Sequence, residues 1–337
     1  MIRRSFILTT SIILTTLSLS AQGSDTVRIC TYNVLRFGAN SNERIDEYRK
    51  ILNEIKPQLL FVQELASEEG FNLFKDSVAL VLDIPLVALP FRSCEEGTQD
   101  SYVAIFYDAT TFSSNLVGTI PDTPRHMATS RIHHQVSGDS IHVATGHLKA
   151  GEAGADEEMR FQSAQLLRQV MLKDAPPFFP AYDNLLFAGD LNIYTADEPA
   201  YRVLLHPDTG AYVDPIDRPG DWHDNEMFAG LHTQSTRDRQ FGGGVEGGMD
   251  DRFDQILVSQ PLLGHVIYDS YTTFGNDGLH FNDSINALPN LAVSPEMAQA
   301  LHDASDHLPV YLDLIFPKPS SGVEEIEEDK IRRLNLK

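Results

Sequence analysis

The sequence predicts an α/β fold. Strand-like and helix-like segments alternate along almost its whole length. No Pro/Gly/Ser linker divides it midway and no internal repeat is visible, so the pattern predicts a single domain over residues 25–317.

The elements follow in order. "TVRICTYNV" (26–34) alternates and then becomes continuously apolar, as a half-buried strand entering a core does. In 44–57, Ile45, Tyr48, Ile51, Leu52 and Ile55 recur at helical spacing, and Pro57 ends the run. "QLLFVQE" (58–64) is a buried strand, and 102–107, 131–136 and 141–148 are further strand candidates. The stretch 157–172 returns to helical spacing and stops before Pro176–Pro177. Strands are then predicted in "NLLFAGDLN" (184–192), 253–259 and 307–316. Two long loops remain. The Gly-rich 238–251 lacks the Gly-Lys-Ser/Thr ending of a phosphate-cradling loop, and 273–290 is polar and irregular.

The ends have a different character. Residues 1–21 pair Arg3 and Arg4 with an apolar stretch and small residues, the layout of a signal peptide. Cleavage near Ala21 leaves an exported, periplasmic or secreted protein with no transmembrane segment; without cleavage the stretch is an anchor. Residues 318–337 read as a flexible charged tail. Cys30 and Cys94 are too few for a disulfide scaffold. The net charge of −22 opposes a high-affinity, non-specific nucleic-acid coat, but permits an enzyme whose bound metal supplies local positive charge.

Polar groups recur where the apolar strands end: Asn33, Glu64, His147, Asp190 with Asn192, Asp254, and Asp306 with His307. Each alone reads as a turn former or a satisfied polar residue. Together they suit hydrolysis of a phosphate ester. Glu64 and Asp306 are hard oxygen ligands for Mg²⁺, with Mn²⁺ or Ca²⁺ as alternatives. A histidine held by a carboxylate serves as a base or stabilises developing charge. Asp190 and Asn192, two apart on an extended chain, face the same side: one to orient a water, the other to donate to a phosphate oxygen.

The ordered motifs "TYNVL", "VQE", "GHL", "GDLN", "DRFDQILVS" and "SDHLPV" resemble the endonuclease/exonuclease/phosphatase superfamily over about residues 28–316. That superfamily includes pancreatic-type deoxyribonuclease, abasic-site endonucleases, sphingomyelinases and inositol-polyphosphate phosphatases. The resemblance implies a four-layer α/β sandwich of two facing mixed β-sheets flanked by helices, with the site at the strand ends. It makes Glu64 the principal metal ligand, with Asn33 and Asp306 close to the same site, and His307 the catalytic histidine oriented by Asp254. Asp190 takes the water-activating or leaving-group-facing place, Asn192 binds phosphate, and His147 contacts phosphate or acts as a second acid/base. In the deoxyribonuclease branch that histidine pairs with a carboxylate two residues before an aromatic strand residue, here Asp100 before Tyr102. Arg36 is similar to a phosphate-reaching arginine of that branch and reads equally as a solvated loop residue; Arg160 and Arg252 are open in the same way.

The pattern also departs from parts of the superfamily. Leu35 stands where abasic endonucleases carry Asp, and the "PxWxDR" motif of inositol phosphatases is missing. The expectation is a monomeric, metal-dependent, nuclease-like phosphodiesterase. A phosphomonoesterase or phospholipid head-group hydrolase is the alternative, and a catalytically silent binding module is the alternative of another class.

Overall fold

The computed structural model describes residues 23–92, 102–171, 184–205 and 212–318. In chain order these carry β1 (Ser24–Phe37), α1 (Ile45–Ile55), β2 (Leu59–Leu65), α2 (Glu68–Ser77), β3 (Val87–Ala88) and β4 (Tyr102–Tyr107). Next come β5 (Phe112–Thr119), β6 (Met127–His134), β7 (Ser140–His147), α3 (Gly154–Met171), β8 (Leu185–Asp190) and α4 (Pro199–Leu204). The last are β9 (Tyr212–Val213), β10 (Asp254–Ser259), α5 (Gln260–Leu263), β11 (Thr272–Thr273), α6 (Pro295–Ala304) and β12 (Val310–Pro317).

Among the described residues the strands form two six-stranded sheets, ordered β11-β12-β1-β2-β4-β3 and β5-β6-β7-β8-β10-β9. Both are mixed: β1–β2 and β7–β8 are parallel, whereas β1–β12, β2–β4 and β8–β10 are antiparallel. Side chains alternate across each strand. Val27, Ile29, Leu59 and Phe61 of the first sheet meet Ile141, Val143, Leu186, Ala188 and Ile256 of the second in one core between the sheets. The other face of the first sheet, with Tyr32, Leu60 and Val62, packs on α1, α2 and α6. Leu185, Phe187 and Leu257 of the second sheet pack on α3 and α4. The result is the α/β sandwich, helices outside two facing sheets.

The helix predicted over 44–57 is α1, and its apolar positions Ile45, Tyr48, Ile51, Leu52 and Ile55 are the buried ones. It stops where Lys56 turns left-handed, with Pro57 behind it. The strand predicted over 131–136 is instead Met127–His134, because the chain turns at Gly138 with φ of 79°. The periodicity did not show β5, α2 or α6. β5 ("FSSNLVGT") is a polar edge strand of its sheet. The segments 1–22, 93–101 and 319–337, with Asp100 and Cys94 in them, lie outside the described residues, while Cys30 is fully buried.

The inner faces change character at one end. Along β1 the inward positions run Val27, Ile29, Thr31, Asn33; along β7, Ile141, Val143, Thr145, His147; and along β8, Leu186, Ala188, Asp190. The apolar core therefore ends in polar layers. In the first, the Thr31 hydroxyl donates to Gln63 Oε1 at 3.2 Å, and Gln63 Nε2 donates to the Thr145 hydroxyl at 3.0 Å, linking the sheets. All three residues are fully buried. The next layer is the candidate site.

Gly189, the glycine of "GDLN", stands opposite Gly146 on the neighbouring strand. A Cβ there would lie 2.1 Å from the Gly146 carbonyl oxygen, so any larger residue forces β7 and β8 apart. Gly189→Ala is therefore expected to cost about 3 kcal/mol of unfolding free energy, the upper part of the usual overpacking range. Urea denaturation checks this, and a cost below about 1 kcal/mol, the lower end of that range, would show that the strands yield easily.

Candidate active site

Asn33 is the residue on which the site converges. It is fully buried in β1, on the face turned to the second sheet. Its Nδ2 donates to Asp190 Oδ2 at 2.9 Å and Glu64 Oε1 at 3.1 Å, and lies 3.3 Å from His307 Nε2. Its Oδ1 accepts from the Leu35 amide at 3.0 Å, which fixes which end of the carboxamide faces the carboxylates. Glu64 is aimed by an unusual backbone: its φ is 62°, and the facing turn has Leu35 at 46° and Arg36 at 43°. Such values are uncommon for residues with a Cβ and collect at functional sites. They bring the Arg36 amide within 3.0 Å of Glu64 Oε2. The Arg36 side chain is exposed, so in this structure its amide is what touches the site.

Asp190 and Asp254 are direct partners in the β8–β10 ladder. Asp190 Oδ1 accepts from the Asn192 amide at 3.1 Å, while its Oδ2 lies 3.4 Å from His147 Nε2 and 3.6 Å from His307 Nε2. Asn192 is itself left-handed at φ 49° and donates to the Leu148 carbonyl at 3.1 Å. His307 Nδ1 meets Asp254 Oδ2 at 2.7 Å, both residues buried. Asp254 is seated by the Thr233 hydroxyl, which accepts from its amide at 3.1 Å. The Ser305 hydroxyl donates to the Asn33 carbonyl at 2.7 Å and accepts from the His307 amide at 3.2 Å, tying the last segment to β1.

Burial raises the Asp190 carboxyl to about 7; the neighbouring His307 pulls it down and Asp254 pushes it further up. Burial also opposes charge on His307, but Asp254, Asp190 and Asp306 together outweigh it and hold its pKa well above the ordinary value. His147 goes the other way: burial, then Arg125, His307 and Lys149, keep it neutral. The site thus holds groups whose proton affinities are pushed apart, as acid–base chemistry requires.

Of the expected residues, Asn33, Glu64, His147, Asp190, Asp254 and His307 are brought together. Ligand atoms of Glu64, His147 and Asp190 lie within 4.8 Å of one another, as do those of Asp190, Asp254 and His307. Asp306 is in neither group. Its Oδ2 accepts from the Val245 amide at 2.7 Å, under the Gly-rich loop, where a Cβ on Gly244 would collide with the carboxylate. Its Oδ1 is buried without a protein partner, and so is Asp254 Oδ1. Buried unpartnered carboxylate oxygens beside crowded carboxylates are the donor set a hard divalent cation satisfies, so these residues fit one.

Arg160 and Arg252 resolve as structural. Arg160 is buried against Glu198 at 2.7 Å and binds the Lys149 and Gly151 carbonyls. Arg252 makes a two-pronged, buried pair with Asp214 at 2.7 and 3.0 Å. Two residues at the site had no sequence signal. Gln234 Nε2 lies 2.6 Å from His307 Nε2, and Arg125, bonded to the Leu148 carbonyl at 2.9 Å, adds positive charge beside His147.

A family model described as "Endonuclease/Exonuclease/phosphatase family" matches residues 30–307. The chain belongs to this family. Membership places it among hydrolases of phosphoric ester bonds, in keeping with a site built from carboxylates, amides and a carboxylate-held histidine. None of the curated proteins matches it. Among solved structures, an endonuclease/exonuclease/phosphatase family protein of Bacteroides thetaiotaomicron is 16% identical, covering 88% of this chain and 97% of its own, with a TM-score of 0.56. D. rerio TDP2 complexed with a single-strand DNA product is 18% identical over 86% of this chain and 99% of its own, with a TM-score of 0.53. The catalytic domain of human Nocturnin with a bound sulfate anion is 16% identical over 88% and 98%, with a TM-score of 0.52. At such identities the likeness is one of fold.

Asp254→Asn tests the ion pair. It is expected to lower the His307 pKa, measured by NMR titration, and to reduce turnover on the order of 10⁴-fold. The sign follows from linkage: with His307 raised in the folded state, the pair stabilises the fold at low pH and the contribution fades as pH rises through that raised value. An unmoved His307 titration would remove Asp254 from this role.

Proposed function

We propose that this family member is an exported, Mg²⁺-dependent phosphodiesterase, nuclease-like in its chemistry and acting on small phosphodiesters. The observation that carries the reading is the single Asn33 carboxamide, which holds Glu64, Asp190 and His307 around one point. The opening of the chain, with its signal-peptide layout, supports export. The net charge of −22 favours a small substrate over a long polyanion.

Mg²⁺ would be held by Glu64 and the free oxygen of Asp306, with Asn33 beside it, and when bound it supplies neutralising charge for the phosphoryl and leaving oxygens. Asp190, with a carboxyl that titrates near neutrality, takes the proton of the attacking water. His307, charged and oriented by Asp254, stabilises negative charge on the phosphoryl oxygens. Asn192 and Arg125 border the same space from the β7–β8 side and bind the remaining oxygens. His147, kept neutral, is a donor or acceptor to the ester. Asp100 is proposed as its partner on the sequence pattern alone.

The deciding experiment compares bis(p-nitrophenyl) phosphate with p-nitrophenyl phosphate, with Mg²⁺, Mn²⁺, Ca²⁺ or EDTA. Diester cleavage is expected to vanish in EDTA, return with Mg²⁺, and fall by about 10²- to 10⁴-fold in Asp190→Asn. Preference for the monoester would make the protein a phosphatase; no cleavage together with no metal binding would leave a silent module. On natural diesters, KM is expected to change little with salt. A steep rise would signal contact with many phosphates and a nucleic-acid substrate.

A further inference from the structure

We propose that Gln234 is a catalytic residue: the carboxamide that lies on His307 Nε2 in the free protein donates to a phosphoryl oxygen in the complex. The inference rests on the phosphoesterase reading above and adds a group that the sequence motifs do not contain.

His307 has two ring nitrogens, and Nδ1 is committed to Asp254 at 2.7 Å. Only Nε2 is left to face substrate, and two carboxamides converge on it: Gln234 Nε2 at 2.6 Å and Asn33 Nδ2 at 3.3 Å. The Asn33 amide is already engaged with Asp190 and Glu64. The other contact of the Gln234 amide is to Asp306 Oδ2 at 3.5 Å, a long and weak one. A substrate oxygen that bonds to His307 Nε2 must enter beside this amide. The N–H of Gln234 then has an anionic acceptor, and such charge-assisted bonds are the stronger kind.

The backbone makes the donor preorganised. Gln234 bridges Asp251 on one side and His307 on the other. Its amide donates to the Asp251 carbonyl at 3.1 Å, and its own carbonyl accepts from the Asp250 and Asp251 amides at 2.9 and 3.0 Å. Next to it, the Leu308 amide donates to the Thr233 carbonyl at 2.7 Å, and the Thr236 amide to the Asp306 carbonyl at 3.1 Å. The residue is buried. A donor fixed before the substrate arrives needs no reorganisation when charge builds on the phosphoryl oxygens, which is what makes such donors effective.

The test uses the mature protein, with Gln234→Met, which keeps the length and removes the donor, and Gln234→Glu, which keeps the shape and places an anion there. Unfolding midpoints establish that each variant folds. Both are expected to lower kcat for the diester on the order of 10²-fold while KM changes far less, because the bond strengthens as charge develops. In the wild type, the Gln234 side-chain NH₂ signal, assigned by its loss in Gln234→Met, is expected to shift on adding inorganic phosphate. Wild-type kcat in both variants, or an NH₂ signal unmoved while other site signals shift with phosphate, would overturn the proposal. A wild type inactive on the diester would instead sink the phosphoesterase reading, and the phosphate shift would still decide whether Gln234 touches the anion.

Discussion

One carboxamide, that of Asn33, joins the two halves of this sandwich at the site. Asn33 belongs to the first sheet and Asp190 to the second, and the 2.9 Å bond between them spans the gap where the apolar core has given way to polar side chains. The same NH₂ group reaches Glu64 and His307, so the carboxylates and the imidazole are spaced by one residue with a fixed orientation. Three acidic or basic side chains crowded into a buried space would repel or hydrate apart without such a neutral spacer. The rest of the site is arranged around keeping it in place: Ser305 binds its carbonyl, Leu35 its oxygen, and the Thr31–Gln63–Thr145 layer supports it from below.

The backbone at the site is strained where function demands it. Leu35, Arg36, Glu64 and Asn192 all have positive φ, a conformation costing on the order of 1–3 kcal/mol for each. The apolar layers offset this. The inter-sheet core and the two helix-covered faces bury long runs of Val, Ile, Leu and Phe, and the Arg252–Asp214 and Arg160–Glu198 pairs satisfy the charges that come with the buried loops. Rigidity is thus supplied away from the chemistry and spent on orientation at it.

How much of this was legible beforehand depends on whether the signal was local. The strand ending in Asp190 could be read because an apolar run and its polar end are contiguous, and α1 because its apolar period spans several turns. Strand β5 could not, since a solvent-side edge strand carries Ser and Asn where a central one carries Val and Ile. Among the site residues, Asn33, Glu64 and His307 stood out by their place at strand ends. Gln234 and Arg125 did not: each sits in a loop of mixed composition, and only the tertiary structure brings one to His307 and the other beside His147. Arg160 and Arg252 show the converse. Their type and position left a structural role and substrate contact equally open, and each is consumed by a buried acid far along the chain.

The Val245 amide on Asp306 gives the Gly-rich loop a second life. Loops are where sequences drift most freely, and this one touches an acid at the reaction centre through its main chain alone. The exposed side chains of Val245 and Glu246 can therefore be exchanged without disturbing that contact, provided Gly244 keeps its bare α-carbon against the carboxylate. The loop's contact with the reaction centre is in this way held by its backbone, and its exposed side chains are left free of that duty.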